Sequence, residues 1–211
     1  LANIAYYHHR LNKAQNPAYN KKFYVLNIDE VEKSIRVNPI HKKYINTLAD
    51  ATETAEAIYL SLSKGENGGG GASQFFTQSA INFLSAVIYF LRDYEDGRFC
   101  TLPHVIATIT LPYDQLFQML FTNDHIYSLL TPFKSAYDNE AFEQLEGQIG
   151  TVRINISKLA TQESFWIFAG DDLDFKISNI ESPVHLILAN NPNTLSINSA
   201  FFSAVLLRLN R

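Results

Sequence analysis

Cysteine is nearly absent from this chain of 211 residues, which contains only Cys100. A single cysteine excludes an internal disulfide framework and is typical of proteins in a reducing compartment. Long apolar runs are also missing. The longest, roughly Ala80 to Leu91, contains Asn82 and Ser85 and is shorter than the ~20 apolar residues that a membrane-spanning helix needs.

The chain also has no excess of basic residues. It contains 17 Lys and Arg and 21 Asp and Glu, which gives a net charge of −4. The distribution is uneven. Residues 1–41 carry a net charge of +3, residues 42–163 carry −6 and residues 164–211 carry −1. A protein that binds nucleic acid without sequence preference presents a basic surface. The acidic middle of the chain therefore favours a protein partner over DNA.

Apolar and aromatic residues are plentiful, with a hydrophobic content of 46%, 15 Phe and 11 Tyr. This composition supplies a sizeable core and excludes a disordered chain. The length suits one or two domains.

Two strand-like runs, Phe23–Ile28 and Val184–Ala189, lie near opposite ends of the chain. A single strand satisfies no ladder, so we expect the two to pair in one α/β sheet that a large helical insertion interrupts. The chain begins at Leu1 and stops at Arg211, each within a helix-like run. We therefore expect it to be the middle of a larger protein.

Periodicity and turn signals predict the elements between and around the strands. The predicted helices are Ala2–Ala14, Tyr44–Leu62, a helix capped by Ser73 that runs to Arg92, Pro103–Ile109, Pro112–Leu120, Asp124–Leu130 before Pro132, Glu140–Leu159 and Thr194–Leu209. In each Thr-Leu-Pro, at 101–103 and 110–112, the threonine is expected to cap a short helix. Phe165–Phe168 and Asp174–Ile177 are predicted to be extended. The helix ending at Arg92 is apolar almost all round, so it is expected at the centre of a bundle.

The helix predicted over Glu140–Leu159 carries an apolar stripe at alternating spacings of three and four: Phe142, Leu145, Ile149, Val152, Ile156 and Leu159. Such a stripe packs on a partner helix. An internal core helix is the simpler interpretation, and an external partner is the alternative. Gly147 and Gly150 lie beside the stripe and each cost about 1 kcal/mol relative to Ala. We therefore expect a close helix approach there.

Two segments resemble nucleotide-binding motifs. The glycine-rich loop Lys64–Ala72 lacks the following Lys-Ser/Thr of a P-loop and follows a helix, so a flexible linker is the better interpretation. The strand ending at Asp29-Glu30 resembles the acidic strand that holds magnesium in ATPases. Asn27 interrupts its apolar run, which favours a solvated acidic turn.

No metal site or nucleophile is predicted. Cys100 and His104 are two potential ligands without a second pair, so a core cysteine and a surface histidine are expected. His8 and His9 are adjacent and face different sides of a helix. The carboxylates of Asp171, Asp172 and Asp174 lack the calcium-loop pattern and are expected to form a polar turn. No serine or cysteine has the surroundings of a catalytic nucleophile.

An ordered series of segments resembles the TraG/TraD-type coupling proteins of conjugative type IV secretion, most closely the TraG/mobilisation proteins of Bacteroides-type elements. The series covers nearly the whole chain, and its specificity lies in the order of the segments. It comprises F-Y-V-L-N-I-D-E (23–30), S-I-R-V-N-P-I (34–40), S-Q-F-F-T-Q-S-A-I-N-F-L-S-A-V-I-Y-F-L (73–91), D-G-R-F-C-T-L-P-H-V-I (96–106), Q-L-E-G-Q-I-G-T-V-R-I-N-I-S-K-L (144–159), F-W-I-F-A-G-D-D-L-D-F-K-I-S-N-I (165–180) and P-V-H-L-I-L-A-N-N-P (183–192).

The resemblance implies a mainly α fold in which a helical bundle is inserted into a partial RecA-like P-loop NTPase domain. Residues 1–41 and 164–211 would be pieces of the motor domain, and residues 42–163 the inserted all-alpha domain. The family's P-loop and Asp-Glu strand lie outside this segment. ATP and magnesium are thus implied for the parent protein alone, and no catalytic, cofactor-binding or metal residue is assigned in this chain.

The resemblance also implies partners and a location. The all-alpha domain would receive a relaxase, the relaxosome or a secreted protein. The full motor would be a hexamer that moves single-stranded DNA at the cytoplasmic face of the bacterial inner membrane, with an anchor outside this segment. One alternative is a stand-alone helical adaptor that binds a protein through the Phe142–Leu159 stripe. Another is direct binding of single-stranded DNA by exposed aromatic residues and lysines.

Overall fold

The computed structural model describes residues 2–63, 71–175 and 183–209, which are mainly helical, as predicted. Two strands are present in this part of the chain, β1 (Lys22–Asn27) and β2 (Val184–Ala189). The α-helices are α1 (Ala2–Gln15), α2 (Leu48–Leu62), α3 (Gly71–Asp93), α4 (Leu102–Ile109), α5 (Tyr113–Leu120), α6 (Tyr127–Asp138), α7 (Phe142–Ser157), α8 (Gln162–Phe168) and α9 (Leu195–Leu209). Short 3-10 helices cover Val31–Lys33, Lys42–Tyr44, Tyr94–Gly97, Asp124–Ile126 and Pro192–Thr194.

The two strands pair in parallel, with Lys22 opposite Val184 and Asn27 opposite Ala189. This confirms the expectation that the two distant runs share one sheet. Parallel neighbours need a long crossover, because the chain must return to the same end of the sheet before the second strand begins. Here the crossover contains helices α2 to α8.

The chain after β1 covers the strand edge that faces away from β2. The Ile35 backbone N–H donates to the Val25 carbonyl at 2.8 Å, and the Asn27 N–H donates to Ser34 Oγ at 2.9 Å. An Asn38-Pro39 turn follows, and the buried Asn38 side chain donates to the Cys100 carbonyl at 2.9 Å. The turn is therefore fixed to the helical block, by which we mean residues 42–163.

Helix α3 lies at the centre of the helical block, as its apolar surface predicts. It packs against α2, α4, α5, α6 and α7. One continuous apolar cluster runs through this block and reaches the sheet and α9, from Leu26 through Val87 to Val205. Each fully buried aliphatic side chain contributes about 1.5–3 kcal/mol, so α9 and the helical block stabilise each other.

The apolar stripe on α7 is part of this core. Five of its six predicted residues are buried: Leu145, Ile149, Val152, Ile156 and Leu159. Phe142, at the start of the helix, is 49% exposed. The internal interpretation is confirmed, so a partner helix outside the chain cannot bind this stripe in the folded protein.

The two glycines of α7 differ. A Cβ at Gly147 would lie 3.2 Å from Phe76 Cε1 of α3, so the expected close approach of two helices is confirmed there. A Cβ at Gly150 would meet only Glu146 Oε2 of the same helix, at 3.2 Å. The expectation of a close helix approach is wrong for Gly150.

The prediction of extended chain over Phe165–Phe168 is wrong, because these residues lie in α8. Thr161 begins this helix, its Oγ1 accepting from the Ser164 backbone N–H at 3.1 Å. A run of four apolar residues is too short for periodicity to separate strand from helix, and the threonine cap decides between them. Of the predicted extended segment Asp174–Ile177, Asp174 and Phe175 lie in irregular chain and the other two residues fall outside the described ranges.

The prediction that a helix ends before Pro132 is also wrong. A 3-10 turn over Asp124–Ile126 leads into α6, which contains Pro132. Proline inside a helix costs about 3 kcal/mol. The burial of Leu130 and Phe133 on either side of it offsets this cost, at about 1.5–3 kcal/mol for each side chain.

The expected threonine caps are not formed. Thr101 precedes α4 but makes no cap bond, and its Oγ1 lies 2.7 Å from His104 Nδ1. Thr110 ends α4 and donates to the Ala107 carbonyl at 2.8 Å, while Pro112 precedes α5. Helix α3 begins at Gly71, so Ser73 lies inside it. In the described part of the chain, no helix is both long and apolar enough to cross a bilayer.

Candidate functional site

The carboxyl ends of β1 and β2 lie side by side, at the edge where α/β sheets most often carry functional side chains. Strand β1 ends at Asn27 and is followed by Asp29, while β2 ends at Ala189 and is followed by Asn190. Because Asn27 lies opposite Ala189 in the parallel register, the two turns are neighbours. The topology thus places polar side chains from both strands at one edge.

Asn198 of α9 is the centre of a hydrogen-bond network at this edge and is only 1% exposed. Its Nδ2 lies 2.9 Å from Thr194 Oγ1, 3.0 Å from Asn190 Oδ1 and 3.5 Å from Asp29 Oδ2. Thr194 Oγ1 also lies 3.2 Å from Asp29 Oδ1, to which it donates. The network joins the turn after β1, the turn after β2 and helix α9.

Asn27 shapes the turn that presents Asp29. Its Oδ1 accepts from the backbone N–H groups of Asp29 at 3.1 Å and Glu30 at 3.2 Å, a side-chain mimic of a backbone turn. Glu30 forms an ion pair with Lys33. Both acidic residues are exposed, as expected of a solvated turn. Asn27, the polar residue that interrupts the apolar run, thus has a structural role in stabilising this turn.

Sequence reasoning missed the residues from the C-terminal part of this network. The available signal was Asn190, Asn191 and Pro192 directly after a strand-like run, because such residues form polar turns. Asn198 gave no signal, because a polar residue within a helix is most often solvated. The network can hold three elements together and can accept hydrogen bonds through Asp29.

A second polar surface lies where α1 meets the start of β1. Residues 1–28 contain four basic residues and no acidic residue. A pocket of about 440 Å³ opens there, lined by Tyr6, His9, Lys13, Tyr19, Asn20, Lys21, Lys22, Phe23 and Tyr24. His9 Nδ1 lies 3.2 Å from Tyr19 Oη. Lysines among aromatic rings provide positive charge together with stacking surfaces.

The two adjacent histidines of α1 have different surroundings. His8 is exposed and meets Tyr7 edge to face. His9 is half-buried, with its ring centre 5.2 Å from that of Phe23 and 6.4 Å from that of His185. Burial, together with the nearby Lys21 and His9, lowers the pKa of His185. Across the described ranges, no group of three His, Cys, Asp or Glu side chains is arranged to hold a metal ion.

Cys100 is a core residue, as expected. Its Sγ lies 2.9 Å from the Ile40 carbonyl oxygen, and burial raises the pKa of the thiol to about 12. Metals bind the thiolate, so this environment opposes coordination. The predicted surface histidine, His104, is half-buried, and its Nδ1 faces Thr101 as described above.

The three aspartates of the Asp171–Asp174 segment do not converge. Each has its own partner: Asp171 with Lys43 Nζ at 3.1 Å, Asp172 with the Arg36 backbone N–H at 2.8 Å, and Asp174 with Tyr44 Oη at 3.0 Å. The hydrogen bonds from Arg36, first that of its backbone, lower the pKa of Asp172. This geometry is that of the expected polar turn.

The glycine-rich loop Lys64–Ala72 falls largely outside the described residues, and its last two residues belong to α3.

Comparisons with protein-family models, curated proteins and solved structures gave no match to this chain.

Proposed function

We propose that this chain is the substrate-recognition segment of a conjugative coupling protein, a TraG/TraD-type motor of type IV secretion. The observation that carries the proposal is the parallel pairing of β1 with β2 around helices α2 to α8. The resemblance implies this arrangement, with an all-alpha domain over 42–163 inserted between two pieces of a RecA-like domain at 1–41 and 164–211. The acidic balance of the inserted block supports a protein cargo, namely a relaxase, the relaxosome or a secreted protein.

The position of the polar network fits this proposal. Nucleotides bind outside the carboxyl ends of parallel strands, and the Asp29–Asn198 network lies at that edge. A P-loop needs Lys-Ser/Thr directly after its glycines, and no lysine follows the glycines here, so the residues present do not fit ATP and magnesium. In the proposal, the rest of the parent protein supplies that chemistry. This chain contributes the turns beside it.

The proposal places the parent protein at the cytoplasmic face of the bacterial inner membrane, as an anchored hexamer that moves single-stranded DNA. A mating assay tests its role. Donor cells with an in-frame deletion of codons 42–163 are expected to lose conjugative transfer, and the intact gene supplied in trans restores it. Transfer at the parental frequency after the deletion would overturn the proposal.

The reading frame on both sides of the segment gives an independent test. A Gly-rich Lys-Ser/Thr loop is expected upstream and an Asp-Glu strand downstream. A start codon just before Leu1 and a stop just after Arg211 would contradict the motor interpretation.

The purified chain itself is expected to bind neither ATP nor magnesium tightly, as measured by equilibrium dialysis. ATP turnover by the chain would contradict this expectation.

The stand-alone adaptor is not supported, because the α7 stripe that it would use to bind a partner is buried.

Direct binding of single-stranded DNA is the second candidate, and the basic pocket between α1 and β1 favours it. Labelled oligothymidylate is then expected to bind with an affinity that falls steeply with salt. Changing Lys21 and Lys22 to Gln weakens that binding, whereas Lys134→Gln, on α6, does not. An oligonucleotide that stays unbound at low salt would exclude this candidate.

A further inference from the structure

An open groove of about 730 Å³ lies between the 3-10 turn that follows β1 and helix α8. Val31 and Arg36 line it from the side of the turn, and Glu163, Phe165 and Trp166 line it from α8. Its volume is within the range of pockets that hold a ligand or an anchoring side chain. The two walls of the groove are held together, because the Val37 backbone N–H donates to the Ile167 carbonyl at 2.8 Å.

Trp166 is the only tryptophan of the chain and is 57% exposed. One face of its indole is covered by the Arg36 guanidinium, which lies 5.0 Å from the ring centre. Asp172 holds Arg36 in turn, through the backbone N–H at 2.8 Å and Nη2 at 3.4 Å. The indole is thus fixed from one side while much of it stays in water. A side chain fixed before binding loses little conformational entropy when a partner arrives.

The surroundings of the groove are acidic. Residues 29–36 contain three acidic and two basic residues, and residues 162–174 contain four acidic residues and no basic one. Arg36 and Lys43 are paired with Asp172 and Asp171. Glu163 lies exposed in the groove wall, with no ion pair to any described residue. The available charge beside the indole is therefore negative, which repels phosphate and attracts a Lys or Arg side chain.

We infer that this groove binds a basic segment of a protein partner. An aliphatic or aromatic side chain of that segment packs on Trp166 and Phe165, and a Lys or Arg pairs with Glu163. Trp and Arg are the residues that most often dominate binding energy at interfaces, within a polar rim. This inference rests on the proposed function in one respect, that the partner is the transferred protein. It places that partner at the junction of α8 with the turn after β1.

Fluorescence of the single tryptophan tests the groove directly. The whole purified chain is titrated with a synthetic amphipathic peptide of Leu and Lys, and separately with a matched peptide of Leu and Glu. The Leu/Lys peptide is expected to shift the Trp166 emission to shorter wavelength, saturably and less at high salt. The Leu/Glu peptide produces no shift.

Variants locate the contact, with calorimetry as the readout that does not need the indole. Trp166→Ala is expected to weaken Leu/Lys binding by about 30-fold, the size of effect of an interface anchor. Glu163→Lys is expected to weaken it by about 10-fold, since it places like charges together. Glu143→Lys is the matched control, because Glu143 is an exposed acid of α7, and it leaves the affinity unchanged. All three positions are exposed, so circular dichroism is expected to show an unaltered fold.

Three results would overturn the inference. The first is peptide binding that leaves Trp166 emission unchanged and is weakened by Glu143→Lys, which would move the partner to the helical block and keep the proposed function. The second is an emission shift that follows protein concentration alone, with dimers in sedimentation, which would make a second copy the occupant. The third is Trp166 emission that acrylamide does not quench in the protein expressed from the full reading frame, because another part of that protein would then already cover the groove. Failure of the proposed function can be distinguished from these three results, because it appears as unchanged conjugative transfer after deletion of codons 42–163.

Discussion

Arg208 Nε donates a hydrogen bond of 2.7 Å to the carbonyl oxygen of Pro39. The same guanidinium donates through Nη2 to Thr54 Oγ1. Arg208 lies in α9, Pro39 lies in the Asn38-Pro39 turn, and Thr54 lies in α2. One buried side chain therefore joins the N-terminal segment, the helical block and the C-terminal helix.

Arg208→Ala is expected to lower the free energy of unfolding by about 2–4 kcal/mol, because it leaves buried acceptors without donors and opens a cavity. Arg208→Lys is expected to lose less, since an ammonium keeps the charge but lacks the planar fork that reaches both acceptors. Urea denaturation measures both. Arg10→Ala, at an exposed position of α1, is the control and stays within about 0.5 kcal/mol of the parent. An unchanged midpoint for Arg208→Ala would contradict the linking role.

A fragment of residues 42–163 is expected to be much less stable than the whole chain. Helix α9 packs along α2, where Ser203 Oγ lies 2.7 Å from Ser61 Oγ. Without α9, the apolar surface it covers on α2 is exposed to water, at a cost of about 25 cal/mol per Å². Thermal unfolding followed by circular dichroism is expected to give a lower, broader transition for the fragment. An equal midpoint would mean that the helical block folds independently.

The two glycines of α7 form a matched pair of substitutions. Gly150→Ala is expected to raise the free energy of unfolding by about 0.5–1 kcal/mol, because alanine favours the helix and only a flexible glutamate lies nearby. Gly147→Ala is expected to gain less than Gly150→Ala or to destabilise, because the new methyl group crowds Phe76 of α3. Chemical denaturation of the two variants gives the order. The reverse order would contradict the close approach of α3 and α7.

Cys100 is expected to be unreactive in the folded protein. Its thiol is buried and its pKa is about 12, so little thiolate is present near neutral pH. A thiol reagent at pH about 8 is expected to label the native chain slowly and the urea-unfolded chain fast, as for a model thiol of pKa about 8.5. Since this is the only cysteine, absorbance reports it without ambiguity. Rapid labelling before unfolding would contradict its core position.

Acidification is expected to destabilise the protein before its carboxylates are protonated. Burial lowers the pKa of His41, His104 and His185, so the unfolded chain binds more protons than the folded one. Stability is therefore fully present above the unfolded value of about 6.5 and is lost as the pH falls through it toward the lower folded values. Melting temperatures between pH about 7.5 and about 5.5 measure this loss. His104→Gln is expected to reduce the slope, and an unchanged slope would exclude His104 as a contributor.

Several elements were predictable because one local signal dominates each. Both strands are short, mainly apolar runs between polar flanks. The apolar surface of α3 placed it at the centre, and the spacing on α7 identified a buried stripe. Where local signals compete, prediction failed. Pro132 argues for a helix end, but the buried neighbours Leu130 and Phe133 outweigh it. The four residues Phe165–Phe168 fit a strand or a helix equally until the Thr161 cap is seen.

By itself, the sequence determined the mainly helical class, the two strands and the buried face of α7, because apolar periodicity is a property of the local chain. It also indicated that the two strands pair, because a single strand satisfies no ladder and neither run has another strand near it in the sequence. Only the tertiary structure decided the rest. The Asp29–Asn198 network, the Arg208–Pro39 bond and the Trp166–Arg36 stack each join residues more than a hundred positions apart. No local signal encodes such contacts, because they arise from the way α8 and α9 return to the chain that follows β1.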